Sequence, residues 1–346
     1  MQRRILLSAL FSLTSLAFAG AAQAQSPMPL RVLTHASFDL PKDLLAQFEK
    51  EAAVTLQIVK AGDAGEMLNK LILTKAAPIA DVTFGIDNTL LPRALSAGVV
   101  DPHTGPAAQR KAEVAMAGGV VPVDFGYVNL NIDKAWFAKA GLALPASLDD
   151  LAKPAYAKLL VVENPATSSP GQAFLFATIA GLGEEGAFAW WAKARAGGVK
   201  VVKGWSEAYY TEFTRNGGTR PIVVSYASSP AAEVFYSKEK ISESPTANLF
   251  LKGGVFRQVE GVALVKGGNP AAREAAGRFI EFLRSAPVQQ ALQTSMWMFP
   301  VEAGAARVDV MKAHATEPAK FDNPTPERMN ANAKAWQQRW TTTVLK

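Results

Sequence analysis

The stretch LRVLTHASFDLPKDLLAQFEKEAAVTLQIVKAGDAGEMLNKLILTKAAPIADVTFGIDN, residues 30–88, decides the fold. Leu30 to Thr34 is a short apolar run that reads as a buried strand. Pro41 to Ala52 carries the 3.6-residue spacing of an amphipathic helix. Val54 to Val59 is a second strand, Glu66 to Leu73 a second helix, and Ala80 to Phe84 a third strand leading into Gly85-Ile86-Asp87-Asn88. This βαβαβ succession predicts an α/β protein with a mostly parallel sheet covered by helices. Ligands of such sheets sit beyond the carboxyl ends of the strands, where His35, Asp63 and Asp87 fall.

The same rhythm resumes further on. Phe125 to Ile132 reads as a long strand able to cross between two lobes. Ser147 and Ser169 are expected helix caps, the second followed by Pro170 at the first turn. Leu159 to Val162, Val199 to Lys203 and Ile222 to Ser225 read as strands. The last two run into Gly204-Trp205-Ser206 and Tyr226-Ala227-Ser228-Ser229. Val255 to Val265 returns as a strand. Asn269-Pro270 then opens a helix with Ala272, Ala276, Phe279 and Leu283 on one face. Thr325-Pro326 opens a terminal helix whose stripe of Met329, Ala333, Trp336 and Trp340 is a docking face. The expected organisation is a first lobe over 25–127, a second over 128–254, and a return to the first over 255–346 with the C-terminal helix, the crossings forming a hinge.

Arg3 and Arg4, the apolar run from Ile5 to Phe18 and the small-x-small Ala22-Gln23-Ala24 match a cleavable export signal over 1–24. The remaining chain, about 320 residues, exceeds what one core serves, which again favours two lobes. The formal charge is +6, or +4 without the two leader arginines, and no basic run is interleaved with aromatics; nucleic acid is not an expected partner. There is no Cys, which removes thiolate nucleophiles and thiolate metal sites, and the three His, at 35, 103 and 314, are too scattered for a zinc motif.

Several segments carry a family likeness. Pro145-Ala146-Ser147-Leu148-Asp149-Asp150-Leu151 resembles a segment frequent in ABC-importer binding proteins. Ala80-Asp81-Val82 with Gly85-Ile86-Asp87-Asn88, Val121-Pro122-Val123-Asp124-Phe125-Gly126-Tyr127, and Thr167-Ser168-Ser169-Pro170-Gly171 resemble the bacterial periplasmic thiamine-binding proteins. So do Lys203-Gly204-Trp205-Ser206-Glu207-Ala208-Tyr209, Ser225-Tyr226-Ala227-Ser228-Ser229-Pro230 and Trp297-Met298-Phe299-Pro300-Val301. Order and spacing match over nearly the whole exported chain. The resemblance implies a monomeric protein with a two-lobe periplasmic-binding-protein (Venus-flytrap) fold. It implies a periplasmic solute-binding role, closing on thiamine or its phosphates and delivering to an inner-membrane ABC permease, without catalysis, cofactor or metal. Its ligand contacts carry over to Asp63 and Ala64, to Ser168 and Ser169, to Trp205, to Tyr226, Ala227, Ser228 and Ser229, and to Trp297. The chain departs from the family at His35-Ala36, where a Tyr-Asp pair is usual, and at Ala64, where a Gly is usual.

The residue types suit that cargo. A thiazolium cannot be neutralised by losing a proton, so burying it requires aromatic faces, carboxylates or both. Trp205, Tyr226 and Trp297 offer faces; Asp63 offers charge and an acceptor for the aminopyrimidine; the helix start at Ser168-Ser169 suits a hydroxyl or phosphate oxygen. Two alternatives remain open at this stage. Tyr209-Tyr210 with His35 and Asp63 resembles the donor set of ferric-binding proteins of the same fold. A secreted thiamine-modifying enzyme of similar architecture uses a Cys nucleophile, which this chain lacks.

Overall fold

The computed structural model describes residues 27–346, so the expected leader at 1–24 lies outside the described residues. The strands are β1 (Met28–Thr34), β2 (Val54–Lys60), β3 (Val82–Asp87), β4 (Val100–Asp101), β5 (Val121–Asp133), β6 (Leu160–Glu163), β7 (Lys200–Val202), β8 (Ile222–Tyr226), β9 (Thr246–Leu249), β10 (Phe256–Val265) and β11 (Phe299–Pro300). They form one sheet in the order β2-β1-β3-β10-β5-β8-β6-β7, with β4, β9 and β11 on its flanks. The two ends are parallel, β1 with β2 and β3, and β6 with β7 and β8. The centre is antiparallel, because β5 and β10 travel between the halves in opposite directions.

β5 is the physical link. Its first part, Val121–Val128, pairs with β10, and its last part, Val128–Ile132, pairs with β8. All thirteen of its residues are buried, the polar Asp124, Asn129, Asn131 and Asp133 included. Around β1 the period of two is visible: Leu30 and Val32 enter a core with Phe48, Phe84 and Phe279, while Leu33 faces the other side with Met67, Leu68 and Ile86. The second half has its own core, in which Leu130, Leu160, Val162 and Val224 meet Phe174, Phe176, Trp190 and Trp191.

Two local expectations are corrected. Ser168, not Ser169, caps the Ser169–Leu182 helix, its hydroxyl accepting from the Gly171 N–H. The second helix starts two residues earlier than its apolar pattern suggests, at Ala64, because the Asp63 carboxylate caps it.

The terminal helix, Pro326–Trp340, packs on the second core rather than with the return segment. Trp340 meets Trp191 edge-on with centroids 5.4 Å apart, Trp336 meets Phe176 at 5.4 Å, and the Trp336 indole N–H donates to Glu184 at 2.9 Å. Trp336→Ala removes a fully buried indole and its hydrogen bond to Glu184. Denaturant unfolding is expected to show a loss of about 3–5 kcal/mol, whereas a surface-docked tail would lose almost none.

Candidate functional site

A cavity of about 220 Å³ opens between the two halves, beyond the carboxyl ends of β1, β2, β7 and β8. Of the expected contacts, Asp63, Ser169, Trp205, Tyr226, Ser228, Ser229 and Trp297 line it. Ala64, Ser168 and Ala227 do not; each is buried behind the wall. Ser168 caps the helix that brings Ser169 to the wall, and Ala227 sits in the core formed with Phe125 and Tyr127.

Asp63 binds the halves together. Its Oδ1 accepts from the Ala64 N–H at 2.6 Å, and its Oδ2 accepts from the Trp205 N–H at 2.9 Å, in the opposite half. Gly204 is needed at this junction: a Cβ there would sit 2.9 Å from Asp63 Oδ2. The same edge is closed by Glu66, whose carboxylate pairs with Lys203 at 2.6 Å and whose N–H donates to the Thr167 carbonyl at 3.1 Å.

Trp205 is fixed from three sides. Tyr209 stacks on the indole at 5.2 Å and 22°, Tyr210 stands edge-on at 5.3 Å, and the indole N–H donates to Ser225 Oγ at 2.8 Å. Ser225 is in turn 2.9 Å from Ser229 Oγ, so the two serines of the β8 terminus hold the ring rather than merely lining a wall. Across the cavity Trp297 takes a left-handed backbone, φ 61°, uncommon for a large side chain. Its carbonyl accepts from Ser228 Oγ at 2.6 Å, and Phe235 and Tyr236 pack edge-on against its ring.

The electrostatics are one-sided. Asp63, Glu233 and Glu260 line the cavity, and among the described residues no Lys or Arg does; His35 is its one basic side chain. His35 lies over Gly85, whose φ of 106° and close approach to the imidazole both demand glycine. Its Nε2 is 3.3 Å from Glu260 Oε1, near enough to pair but out of line for a hydrogen bond. Burial opposes protonation of His35, but the charges of Glu260 and Asp63 outweigh it, and its pKa is raised. Burial drives the Tyr226 phenol well up, with the surrounding carboxylates adding to it.

Glu260 was not among the expected contacts. The Val255 to Val265 strand also carries Arg257 and Gln258, so Glu260 gave no signal of its own in the sequence. Glu233 was equally silent, since its helix begins only after Ser228. Asp87 and Asp124 flank Glu260 on β3 and β5. Asp87 Oδ1 accepts from Thr89 N–H, Thr89 O–H and Leu90 N–H, and Oδ2 accepts from Gln258 at 2.6 Å.

Fold and cleft define a two-lobed solute-binding protein. A family model described as bacterial extracellular solute-binding protein matches residues 77–332, and the chain belongs to that family. It is 31% identical to the thiamine-binding periplasmic protein of Escherichia coli strain K12 over 302 residues, 86% of each chain. Among solved structures it superposes on a periplasmic thiamin binding protein with a TM-score of 0.79 and 29% identity, over 91% of this chain and 96% of that one. A ferric binding protein from Campylobacter jejuni shares the fold, with a TM-score of 0.72 over 91% and 99% of the chains, but is 18% identical.

Burial raises the Asp87 pKa from 3.8 to about 6 against its four hydrogen bonds, with the Glu260 charge adding to the rise. The native state therefore holds this proton more tightly than the unfolded chain, and the stability it contributes below pH ~4 is lost as pH rises to about 6. Asp87→Asn keeps the acceptor at Oδ1, and a turned Gln258 amide can present its unpaired oxygen to the new NH2. Urea unfolding across pH 4–7 is expected to show a fall in the wild type exceeding that of the variant by about 3 kcal/mol; parallel profiles would contradict the assignment.

Proposed function

We propose that this protein is the periplasmic solute-binding component of an ABC importer and that its cargo is thiamine. The observation that carries the proposal is the cavity wall: aromatic faces from Trp205, Tyr226 and Trp297 set among three carboxylates, with no lining Lys or Arg among the described residues. That composition suits a flat organic cation. An aromatic face contributes about 0.5–2 kcal/mol to a buried cation, and fixed carboxylates supply the charge that a thiazolium cannot shed. The thiamine-binding names of the relatives agree with the chemistry.

Each element then has a part. Trp205 and Tyr226 from one half and Trp297 with the Glu260 wall from the other receive the rings. Ser169 and Ser229 stand at helix starts that suit a hydroxyl or a phosphate oxygen. Wall residues come from both halves, so a hinge motion on β5 and β10 closes the cleft over the ligand, and the closed form is what an inner-membrane permease receives. No catalytic step is invoked; the named relatives are binding proteins.

The ferric reading loses support from the tyrosines. Tyr209 O–H donates to Glu233 at 2.8 Å, and burial and that carboxylate push its pKa well above 10. Tyr210 also lines the cavity but is largely exposed, its ring at 80° to that of Tyr209 and edge-on to Trp205. Iron requires tyrosinates that converge and ionise readily.

Titration of indole fluorescence and calorimetry with thiamine test the assignment. Trp205→Phe keeps a ring over Tyr209 but loses the stronger face, and is expected to weaken binding about three- to tenfold. Trp205→Ala is expected to weaken it more than about tenfold, with the melting temperature of the free protein little changed. Absence of thiamine binding by the wild type, or a visible charge-transfer colour with ferric citrate, would overturn the reading.

A further inference from the structure

Glu260 lies between two other acids. On adjacent strands its register partners are Asp87 of β3 and Asp124 of β5, so the three carboxyl groups stand abreast across the crossing strands. All three are buried, but their surroundings differ. Asp87 is saturated with donors. Asp124 has none: both its oxygens are enclosed and unpartnered. Glu260 alone of the three reaches the cavity, and there it faces His35.

Three adjacent buried carboxylates cannot all carry charge. Asp124 is the one that takes a proton: burial and the neighbouring Glu260 charge hold its pKa well up. A protonated Asp124 has an O–H to offer Glu260, so the charge that remains is concentrated on the one carboxylate open to the ligand. The imidazolium of His35 answers that charge in the empty protein. The other charged groups near His35 are Asp63, which favours its proton, and Lys60 at the end of β2, which opposes it; Tyr226 from β8 stays neutral.

We propose that Glu260 is the counter-ion of the bound organic cation, and that His35 holds the place until the cation arrives, so that loading expels a proton from the pocket. This rests on the cationic cargo proposed above. The exchange balances: a cation enters, one proton leaves His35 Nε2 for solvent, and the charge of the pocket is unchanged. A second positive charge beside Glu260 would be repelled by an imidazolium that has lost its partner, so ligand and proton compete for one carboxylate. The sign follows. Below the pKa of His35 the proton occupies the pocket and affinity for the cation is low; as pH rises through that range affinity climbs, by at most about tenfold per pH unit, and then levels.

The test is calorimetric titration of the full exported chain with thiamine from pH 6.5 to 8.5, above the pH of about 6 at which Asp87 titrates, in two buffers of different ionisation enthalpy. Release approaching one proton is expected at the acid end, fading toward pH 8.5, with affinity rising over the same interval. His35→Gln is expected to bind with a nearly flat pH profile and little proton release. Glu260→Gln is expected to weaken thiamine more than tenfold at every pH. Binding by the wild type that is independent of both pH and buffer, or a Glu260→Gln protein that binds like wild type, would overturn this proposal alone. No thiamine binding at any pH would overturn the cargo assignment and this proposal with it.

Discussion

The two-oxygen grip of Asp63 organises the site. One oxygen fixes the start of a helix in the first half, the other holds the backbone of Trp205 in the second, and no side chain fits between them because position 204 is glycine. A charge-assisted bond of this kind is roughly twice as strong as a neutral one, and here it spans the cleft. The consequence is that the principal aromatic face of the pocket is positioned by the opposite half. Ligand geometry and the relation of the two halves are therefore one variable. The Glu66–Lys203 pair and the Thr167 carbonyl reinforce the same edge.

From that edge inward the pocket follows a division of labour. Serines 225, 228 and 229 orient rings and backbone through short hydrogen bonds, aromatics supply faces, and the carboxylates supply sign. The crossing strands do more than connect. Because β5 and β10 are antiparallel neighbours, their registered acids sit side by side at the centre of the sheet, on the strands that join the two halves. Placing three acids there costs stability, and the raised pKa values of Asp87 and Asp124 are that cost expressed as protonation. Glu163, buried at the end of β6 without a partner and likewise held well up, belongs to the same pattern.

Much of this was legible in the sequence and some was not, for physical reasons. The alternation of strands and helices from Leu30 to Asp87 specifies parallel strands because each intervening helix carries the chain back to start the next strand in the same direction. The Trp205, Tyr226–Ser229 and Trp297 segments were readable through resemblance and through their place after strands. What sequence concealed depends on long-range register. Glu260 becomes a pocket wall only because β10 pairs with both β3 and β5, and nothing local to Gln258-Val259-Glu260-Gly261 announces it. Asp63 looked like a ligand acceptor; its tie to Trp205, 142 positions away, is invisible without the fold. Ala64, Ser168 and Ala227 illustrate the converse: a motif carries over whole, but only some of its residues face the cavity, the rest holding those that do. The terminal tryptophans announced a docking face without naming the surface, which proved to be the core around Trp191.

The central claim is that the cleft is built to hold an organic cation against carboxylates and indole faces. Native mass spectrometry of protein purified from cells without added ligand, followed by release and identification of whatever small molecule is carried, tests it most directly. The account predicts a stoichiometric organic cation with the mass of thiamine or a thiamine ester, absent from a Trp205→Ala, Glu260→Gln double variant. A ferric ion, or a neutral or purely anionic solute such as a sugar phosphate, held at full occupancy by the wild type would contradict it.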